Sequence, residues 1–211
     1  MLAELAGGGP VLELAIGTGR LALPLAACGL DVQGIDVSER MVAKLREKPG
    51  GDAIPVTFGD FADVPVEGSF RLIFIAFNTL FALLNQEDQR RCFANVGNHL
   101  TDDGVFVVEA FMPDLARFDR GQRMHVHRVD TTRVMFDTAR HDPVEQRVDS
   151  QRVVLTEEGI KLYPVSIRYA FPSELDLMAR LAGLELRERW GNWQRAPFTA
   201  ESGRHVSVYA R

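Results

Sequence analysis

The segment Pro10–Gly19, PVLELAIGTG, restricts the possible folds more than any other part of the chain. Its nearly continuous apolar run is typical of a parallel strand buried on both faces. Gly17 and Gly19 then allow a tight turn in which bare backbone can approach a ligand, before a helix opens near Arg20. The single charge, Glu13, is expected near the carboxyl end of the strand, because a buried carboxylate needs backbone donors or a polar ligand. The segment therefore predicts a cofactor site of the nucleotide type.

Strands and helices alternate from this segment to about residue 110. Further strands are predicted at 31–35, 54–58, 70–77 and 105–110. Helices are predicted at 21–27, 41–48 and 87–100. Strand, helix and strand joined by such short loops imply right-handed crossovers and a parallel sheet. The predicted fold class is therefore α/β with a doubly wound sheet.

The pattern changes after Phe111, where local alternation of Val, Arg and Thr replaces helical periodicity. Antiparallel strands are predicted at 124–129, 132–140, 145–155 and 160–171. A helix from Pro172, a strand at 184–190 and a closing antiparallel strand at 204–211 follow. The prediction is one domain of 1–211, with a mostly parallel seven-stranded sheet and an antiparallel β insertion, 123–171, after strand five.

Composition argues against several classes of function. The net charge of −5 argues against broad, charge-driven nucleic-acid binding, although a local basic patch stays possible. No apolar run is long enough to span a membrane, and the N-terminus lacks the pattern of a secretory signal. A cytoplasmic protein that binds neither nucleic acid nor membrane is expected.

The histidines do not predict a metal centre. His125 and His127 lie on one face of a predicted strand, but they are interpreted as solvated or hydrogen-bonded side chains rather than ligands. His99, His141 and His205 are interpreted as structural. Because no cluster has metal-ligand spacing, a metal-independent protein is predicted.

Three acidic side chains follow the first three predicted strands: Glu13, Asp36 and Asp60. Residues 17–22, GTGRLA, formally fit the dinucleotide fingerprint, and Asp36 fits its ribose-binding acid. A nicotinamide site does not explain Glu13 or Asp60, however. The added negative charge suits a cationic cofactor without phosphates.

Several segments resemble the class I S-adenosylmethionine-dependent methyltransferases, which have a Rossmann-like fold. The first is PVLELAIGTGRLALPLAACGLDVQGIDVSERMV, and VTFGDF, LTDDGVFVVE and AFPSELDLMARLAGLELRERWGNW continue the resemblance over nearly the whole chain. The resemblance implies S-adenosylmethionine as cofactor and methyl transfer to an N, O or C nucleophile of a small molecule. The AFNT segment after strand four differs from the Asn/Asp-Pro-Pro-aromatic segment that such families use for nucleic-acid amino groups.

The resemblance also implies roles for individual residues. Glu13 would form a hydrogen bond close to the cofactor's ammonium group. Asp36 would accept hydrogen bonds from both ribose hydroxyls, and Asp60 would accept one from the adenine amino group. Ala15 stands where family members usually have glycine, and its methyl group narrows the space for the methionine tail. The full expected set is Glu13, Ala15, Gly17, Gly19, Asp36, Val37, Met41, Asp60, Phe61 and Phe77.

The substrate side is less closely defined. Asn78, Glu109 and Tyr169 are the candidate catalytic residues, although methyl transfer to a neutral amine needs no base. Further candidates for substrate contact are Thr79, Phe111, Trp190 and Trp193. In such families the insertion builds a substrate cover or a dimer surface, so a homodimer is possible. Many members also have helices before the first strand that close over the cofactor, so a lid is expected either ahead of Met1 or from elsewhere.

Two alternative functions stay open at this point. One is an NAD(P)-dependent oxidoreductase with the same sheet. The other is a non-catalytic protein that binds S-adenosylmethionine or dimerises.

Overall fold

A seven-stranded sheet forms the centre of the computed structural model, which describes residues 1–211. Its strands are β1 (Val11–Leu14), β2 (Val32–Asp36), β3 (Val56–Phe58), β4 (Phe70–Ile75), β5 (Leu100–Phe111), β10 (Glu185–Trp190) and β11 (Arg204–Ala210). They are ordered β10-β11-β5-β4-β1-β2-β3, and β11 runs antiparallel to both of its neighbours. The predicted mostly parallel, doubly wound sheet is confirmed. The strand order reverses between β1 and β4, where open α/β sheets bind their ligands.

Helices cover both faces of this sheet. One layer contains α1 (Leu2–Ala6), α2 (Ala22–Ala27) and α3 (Glu39–Arg46), and the other contains α4 (Gln86–His99) and α5 (Pro172–Leu181). Along β4, Leu72 and Phe74 belong to the core of the first layer, whereas Ile73 and Ile75 belong to the core of the second. Both faces of the strand are therefore buried, as the apolar run predicts.

The predicted bounds differ from the observed ones in a few places. Helix α1 was not predicted, because its five residues carry too little periodicity to distinguish a helix. Strand β4 ends at Ile75, before the predicted end at residue 77. None of the helices is long and apolar enough to cross a membrane.

The predicted insertion forms a separate four-stranded antiparallel sheet. Its strands are β6 (Gln122–Val129), β7 (Arg133–Asp142), β8 (Arg147–Thr156) and β9 (Gly159–Arg168). Asp130 and Asp142 make the first two turns, since each carboxylate accepts hydrogen bonds from two backbone N–H groups that follow it. The last strand ends at Arg168 rather than at the predicted residue 171.

A buried arginine at the end of β9 attaches the insertion sheet to the second helix layer. The guanidinium of Arg168 donates to Gln89 Oε1 on α4 at 2.7 Å and to Glu174 Oε1 on α5 at 2.6 Å. Gln89 Nε2 donates back to the Arg168 carbonyl oxygen at 2.8 Å. A buried charge that loses its partner is strongly destabilising, so this network holds the end of the insertion in one place.

Candidate active site

The last residue of β2, Asp36, organises the turn that follows β1. Its Oδ2 accepts the Gly17 N–H at 2.7 Å, and its Oδ1 accepts the Ser38 N–H at 2.8 Å. The side chain is only 7% exposed. Each carboxylate oxygen has a second lone pair, so Asp36 can still accept two further hydrogen bonds, such as those from a pair of hydroxyl groups.

Glu13 is a buried carboxylate with an unsatisfied oxygen. The residue is 6% exposed, and its Oε2 has no hydrogen-bond partner. Burial raises its pKa to about 8, although the Ala22 amide and the Arg20 guanidinium act in the opposite direction. A cationic group beside Oε2 would supply the missing partner.

The two glycines of the turn are needed for different structural reasons. Both have left-handed backbone, with φ of 57° at Gly17 and 72° at Gly19. A Cβ on Gly17 would meet only an ordinary contact with Met41, whereas a Cβ on Gly19 would collide with Leu45 of α3. Gly19 is therefore needed for helix packing as well as for the turn.

Ala15 also has left-handed backbone, with φ of 57°. An L-residue with a Cβ is strained in this conformation, by about 1–2 kcal/mol. The strain explains why a glycine is the more usual residue at this position of the motif.

Large apolar side chains are exposed around this turn. Val37 is 70% exposed, Met41 is 40% exposed and Phe77 is 72% exposed. The Arg20 guanidinium lies 5.7 Å from the centre of the Phe77 ring. Exposed apolar groups clustered at strand ends are typical of a ligand-binding surface.

Asp60 and Phe61 follow β3. The exposed Asp60 uses its Oδ1 to accept the Ala62 N–H at 2.9 Å, which forms a turn and leaves its other oxygen free. Phe61 is buried in the core of the second layer. The predicted cofactor residues thus lie on the ends of β1, β2, β3 and β4, with their roles remaining predictions.

The end of β4 has strained backbone. Phe77 and Asn78 have φ of 58° and 64°, a left-handed conformation that is unfavourable for phenylalanine, whereas asparagine tolerates it. The Glu109 carboxylate accepts the Phe77 N–H at 2.8 Å, and Asn78 Oδ1 accepts the Phe111 N–H at 2.6 Å. Asn78 and Glu109, both predicted as catalytic candidates, therefore link the ends of β4 and β5.

A cavity of about 230 Å³ begins at Phe111, where β5 ends, and we call it the acceptor cavity. One wall is the segment after β5, and the other is the inner face of the insertion sheet. The lining residues are Phe111, Met112, Pro113, Asp114, Leu115, Arg117, Phe118, Arg123, Asp137, Ala139, Val148, Ser150, Ile167 and Tyr169. Of the three catalytic candidates, Tyr169 lines this cavity, and Asn78 and Glu109 do not.

Tyr169 and His141 form the main polar pair beside the cavity. The Tyr169 hydroxyl and His141 Nε2 are 2.9 Å apart, and the His141 ring stacks on Phe118 with ring centres 4.7 Å apart. The sequence, from which His141 was interpreted as structural, did not predict this contact, because only the folding of the insertion brings the two residues together. Trp190 and Trp193 pack in the core of the first helix layer and do not line the cavity.

His127 and His125 lie together on the insertion sheet, with ring centres 4.7 Å apart. His127 Nε2 lies 2.7 Å from Asp137 Oδ2. No group of three or more His, Cys, Asp or Glu side chains is arranged to hold a metal ion.

Comparison with known proteins places this geometry in a family. The family profile described as "Methyltransferase domain" matches residues 11–104. The structure of the CcbJ methyltransferase from Streptomyces caelestis is 42% identical with a TM-score of 0.92, over 99% of this chain and 85% of that chain. The chain belongs to the class I S-adenosylmethionine-dependent methyltransferases.

Two further proteins are similar to this methyltransferase over most of its length. The cypemycin N-terminal methyltransferase of Streptomyces sp is 27% identical over 97% of this chain and 84% of its own length. An S-adenosylmethionine-dependent methyltransferase from Clostridium acetobutylicum has the same fold, with a TM-score of 0.80 at 15% identity over 95% of this chain and 83% of its own. The predicted Rossmann-like fold, the enzyme class and the cofactor are confirmed, and a nicotinamide-dependent oxidoreductase is set aside.

The residues at the strand ends fit S-adenosylmethionine. The unsatisfied Glu13 oxygen matches a cationic ligand, and the Asp36 carboxylate retains acceptor capacity for ribose hydroxyls. The exposed apolar side chains of Val37 and Met41 would be covered by the adenine ring. When bound, the cofactor supplies an electrophilic methyl group on a positively charged sulfur.

Proposed function

We propose that this methyltransferase transfers the methyl group to an amine nitrogen of a small molecule held in the acceptor cavity. The cavity itself is the observation that carries the proposal. It begins at the end of β5, beside the strained end of β4, and its volume of about 230 Å³ lies just below the roughly 300–1,000 Å³ typical of ligand pockets. A small acceptor, or one small part of a larger acceptor, fits such a space.

The lining favours a nucleophile that needs no prior deprotonation. Hydrogen bonds from Arg152 and His127 lower the pKa of Asp137 to about 2, against the opposing effect of burial, so this carboxylate is a poor base. Burial raises the pKa of Tyr169, which keeps its hydroxyl protonated. The free-base form of an amine already has the lone pair that methyl transfer requires, and the methylated ammonium can release its extra proton to solvent after transfer, whereas a hydroxyl group needs a base during transfer.

The remaining task of the protein is alignment. His141 can accept the hydrogen bond from the Tyr169 hydroxyl. The Tyr169 oxygen is then able to accept a hydrogen bond from the amine of the substrate. This hydrogen bond turns the lone pair of the amine nitrogen toward the cofactor site. The aromatic and apolar walls, which include Phe111 and Phe118, exclude water from the reacting groups.

A peptide N-terminus is the second candidate acceptor. The similarity to the cypemycin N-terminal methyltransferase supports an amine nucleophile.

The test is methyl incorporation from labelled S-adenosylmethionine into a panel of small amines, matched alcohols and phenols, and short peptides with free or acetylated N-termini. Small amines are expected to be methylated, and their matched alcohols are not. Transfer to alcohols or phenols in preference to amines would overturn the proposal, and preference for free peptide N-termini would select the second candidate.

A tyrosine pair tests the role of the cavity. Tyr169→Phe is expected to lower kcat by about tenfold while S-adenosylhomocysteine binding stays unchanged, because one orienting hydrogen bond is lost. Tyr163→Phe is the matched control, since Tyr163 is exposed on β9 and does not line the cavity. Equal effects of the two variants would contradict an acceptor site at Tyr169.

A further inference from the structure

The charged side chains that line the acceptor cavity are paired, with one exception. The Asp137 carboxylate accepts hydrogen bonds from Arg152 at 2.9 and 3.1 Å and contacts His127 at 2.7 Å. Asp114 accepts from Arg117 Nε at 2.7 Å. Both carboxylates in the lining are therefore neutralised by the protein itself.

Arg123 is the exception. It lines the cavity, is half-buried, and makes neither a hydrogen bond through its side chain nor an ion pair. In the sheet register it lies opposite Ala139, and the same row continues through Ser150 and Val165, so no carboxylate occupies its row. The cavity thus presents one unpaired guanidinium, although the chain as a whole has a net charge of −5.

Arg123 places this charge at an edge of the insertion sheet. It lies on β6, an edge strand, in the part of the cavity lining that the inner face of this sheet provides. His141, which contacts Tyr169, is two residues beyond Ala139 on β7. Two residues of a strand span roughly 7 Å. The row of paired residues that contains Arg123 therefore lies about that far along the sheet from His141, the hydrogen-bond partner of Tyr169.

The geometry points to Arg123 as an anion-binding subsite that holds a carboxylate of the methyl acceptor, whose amine lies several bonds away beside Tyr169. A planar guanidinium binds a carboxylate through two parallel hydrogen bonds, and a half-buried site strengthens them. One unpaired positive charge matches a monoanion and would leave a phosphate dianion only partly neutralised. This inference rests on the proposed function, because it assigns the substrate class as amines that carry a carboxylate.

The first test is binding of a matched probe pair, 3-phenylpropionate and 3-phenylpropionamide, to the protein saturated with S-adenosylhomocysteine. The phenyl ring suits the apolar walls, and the two probes have nearly the same shape, but only the carboxylate carries a charge and two acceptor oxygens. Calorimetry is expected to show the carboxylate binding about tenfold or more tightly than the amide. Equal affinity, or no binding of the carboxylate, would overturn the inference.

Variants identify the residue responsible. Arg123→Gln is expected to abolish the preference, and Arg123→Lys to retain part of it, because an ammonium keeps the charge but loses the planar fork. Arg128→Gln is the control on the same strand: Arg128 pairs with Asp130 and does not line the cavity. A preference that survives in Arg123→Gln would refute the assignment.

Kinetics separate this inference from the proposed function. With an amine acceptor that carries a carboxylate, Arg123→Gln is expected to raise KM with little change in kcat, since the subsite binds a part of the substrate that does not react. Failure to methylate any amine would refute the proposed function and leave the charge preference of the probes intact. Methylation of amines without regard to a carboxylate would refute only the subsite.

Discussion

Replacement of Glu13 by glutamine is expected to stabilise the cofactor-free protein and to weaken cofactor binding. Glu13 is buried, and burial raises its pKa from 4.5 to about 8. Between these two pH values the folded protein binds a proton that the unfolded chain has released. The free energy of unfolding of the wild type therefore falls as pH rises through this window. The free energy of unfolding of Glu13→Gln does not fall for this reason, because glutamine does not titrate.

The size of the effect follows from the same values. The interval from 4.5 to about 8, at about 1.4 kcal/mol per pH unit, sets an upper bound of about 5 kcal/mol above pH 8. Below about pH 4.5 the carboxyl group is protonated in both states, and the contribution disappears. The stability gained by Glu13→Gln should therefore grow from acid to neutral pH and level off above about pH 8.

Cofactor affinity should change in the opposite direction. If the ionised carboxylate is the form that contacts the ammonium group, which S-adenosylhomocysteine shares with the cofactor, wild-type affinity for S-adenosylhomocysteine should rise with pH by up to about tenfold per pH unit below the pKa of Glu13. Glu13→Gln should bind more weakly at about pH 8 and show little pH dependence of this kind.

The assays are urea unfolding of the cofactor-free protein and calorimetric titration with S-adenosylhomocysteine, each over a range of pH. Glu67→Gln is the matched control, because Glu67 is exposed and lies in the loop before β4. A change in stability that is independent of pH would show that Glu13 has no raised pKa. Unchanged affinity would show that Glu13 does not contact the cofactor.

Substitutions at three further residues test the cofactor site and its support. Asp36→Asn should weaken S-adenosylhomocysteine binding by on the order of 3 kcal/mol, since hydrogen bonds from two ribose hydroxyls lose their charged acceptor, and normal binding in calorimetry would rule out the ribose assignment. Ala15→Gly should raise the free energy of unfolding by up to about 1 kcal/mol, because relief of left-handed strain outweighs the entropy cost of glycine, and a urea curve showing lower stability would contradict this. Glu109→Ala should destabilise the protein by about 2 kcal/mol, because the Phe77 N–H loses its acceptor. Glu109→Gln should destabilise it less, because the glutamine side chain keeps an acceptor oxygen for this N–H. If Glu109→Gln abolishes methyl transfer without loss of stability, Glu109 acts chemically instead.

Much of the fold was predictable because its determinants are local. Apolar runs bounded by turn residues identified the strands, and their short connections through helices predicted right-handed crossovers and a parallel sheet. The end of β4 was not predictable, because Phe77 has left-handed backbone, which a phenylalanine disfavours. The Phe77 N–H donates to Glu109 and the Phe111 N–H donates to Asn78, and these hydrogen bonds between residues more than thirty positions apart hold that conformation.

The two halves of the site differ in the same way. Glu13 and Asp36 could be assigned to one site because the carboxyl ends of adjacent parallel strands always meet at the same edge. No comparable rule predicts the acceptor cavity from the sequence. It depends on how the insertion sheet is placed over the end of β5, and on contacts such as that between His141 and Tyr169, which are far apart in the chain.

The sequence by itself predicted the doubly wound sheet, because apolar runs and the glycine turn are short-range features with a known geometry. Its resemblance to the class I S-adenosylmethionine-dependent methyltransferases implied the enzyme class and the cofactor. Only the tertiary structure decided which candidates adjoin the acceptor cavity. In the folded protein Tyr169 lines the cavity, Asn78 and Glu109 form hydrogen bonds that hold the strained end of β4, and Arg123 has no charged partner. Strand register and long-range hydrogen bonds set these outcomes, since the free energy of such contacts depends on residues that the local sequence does not contain.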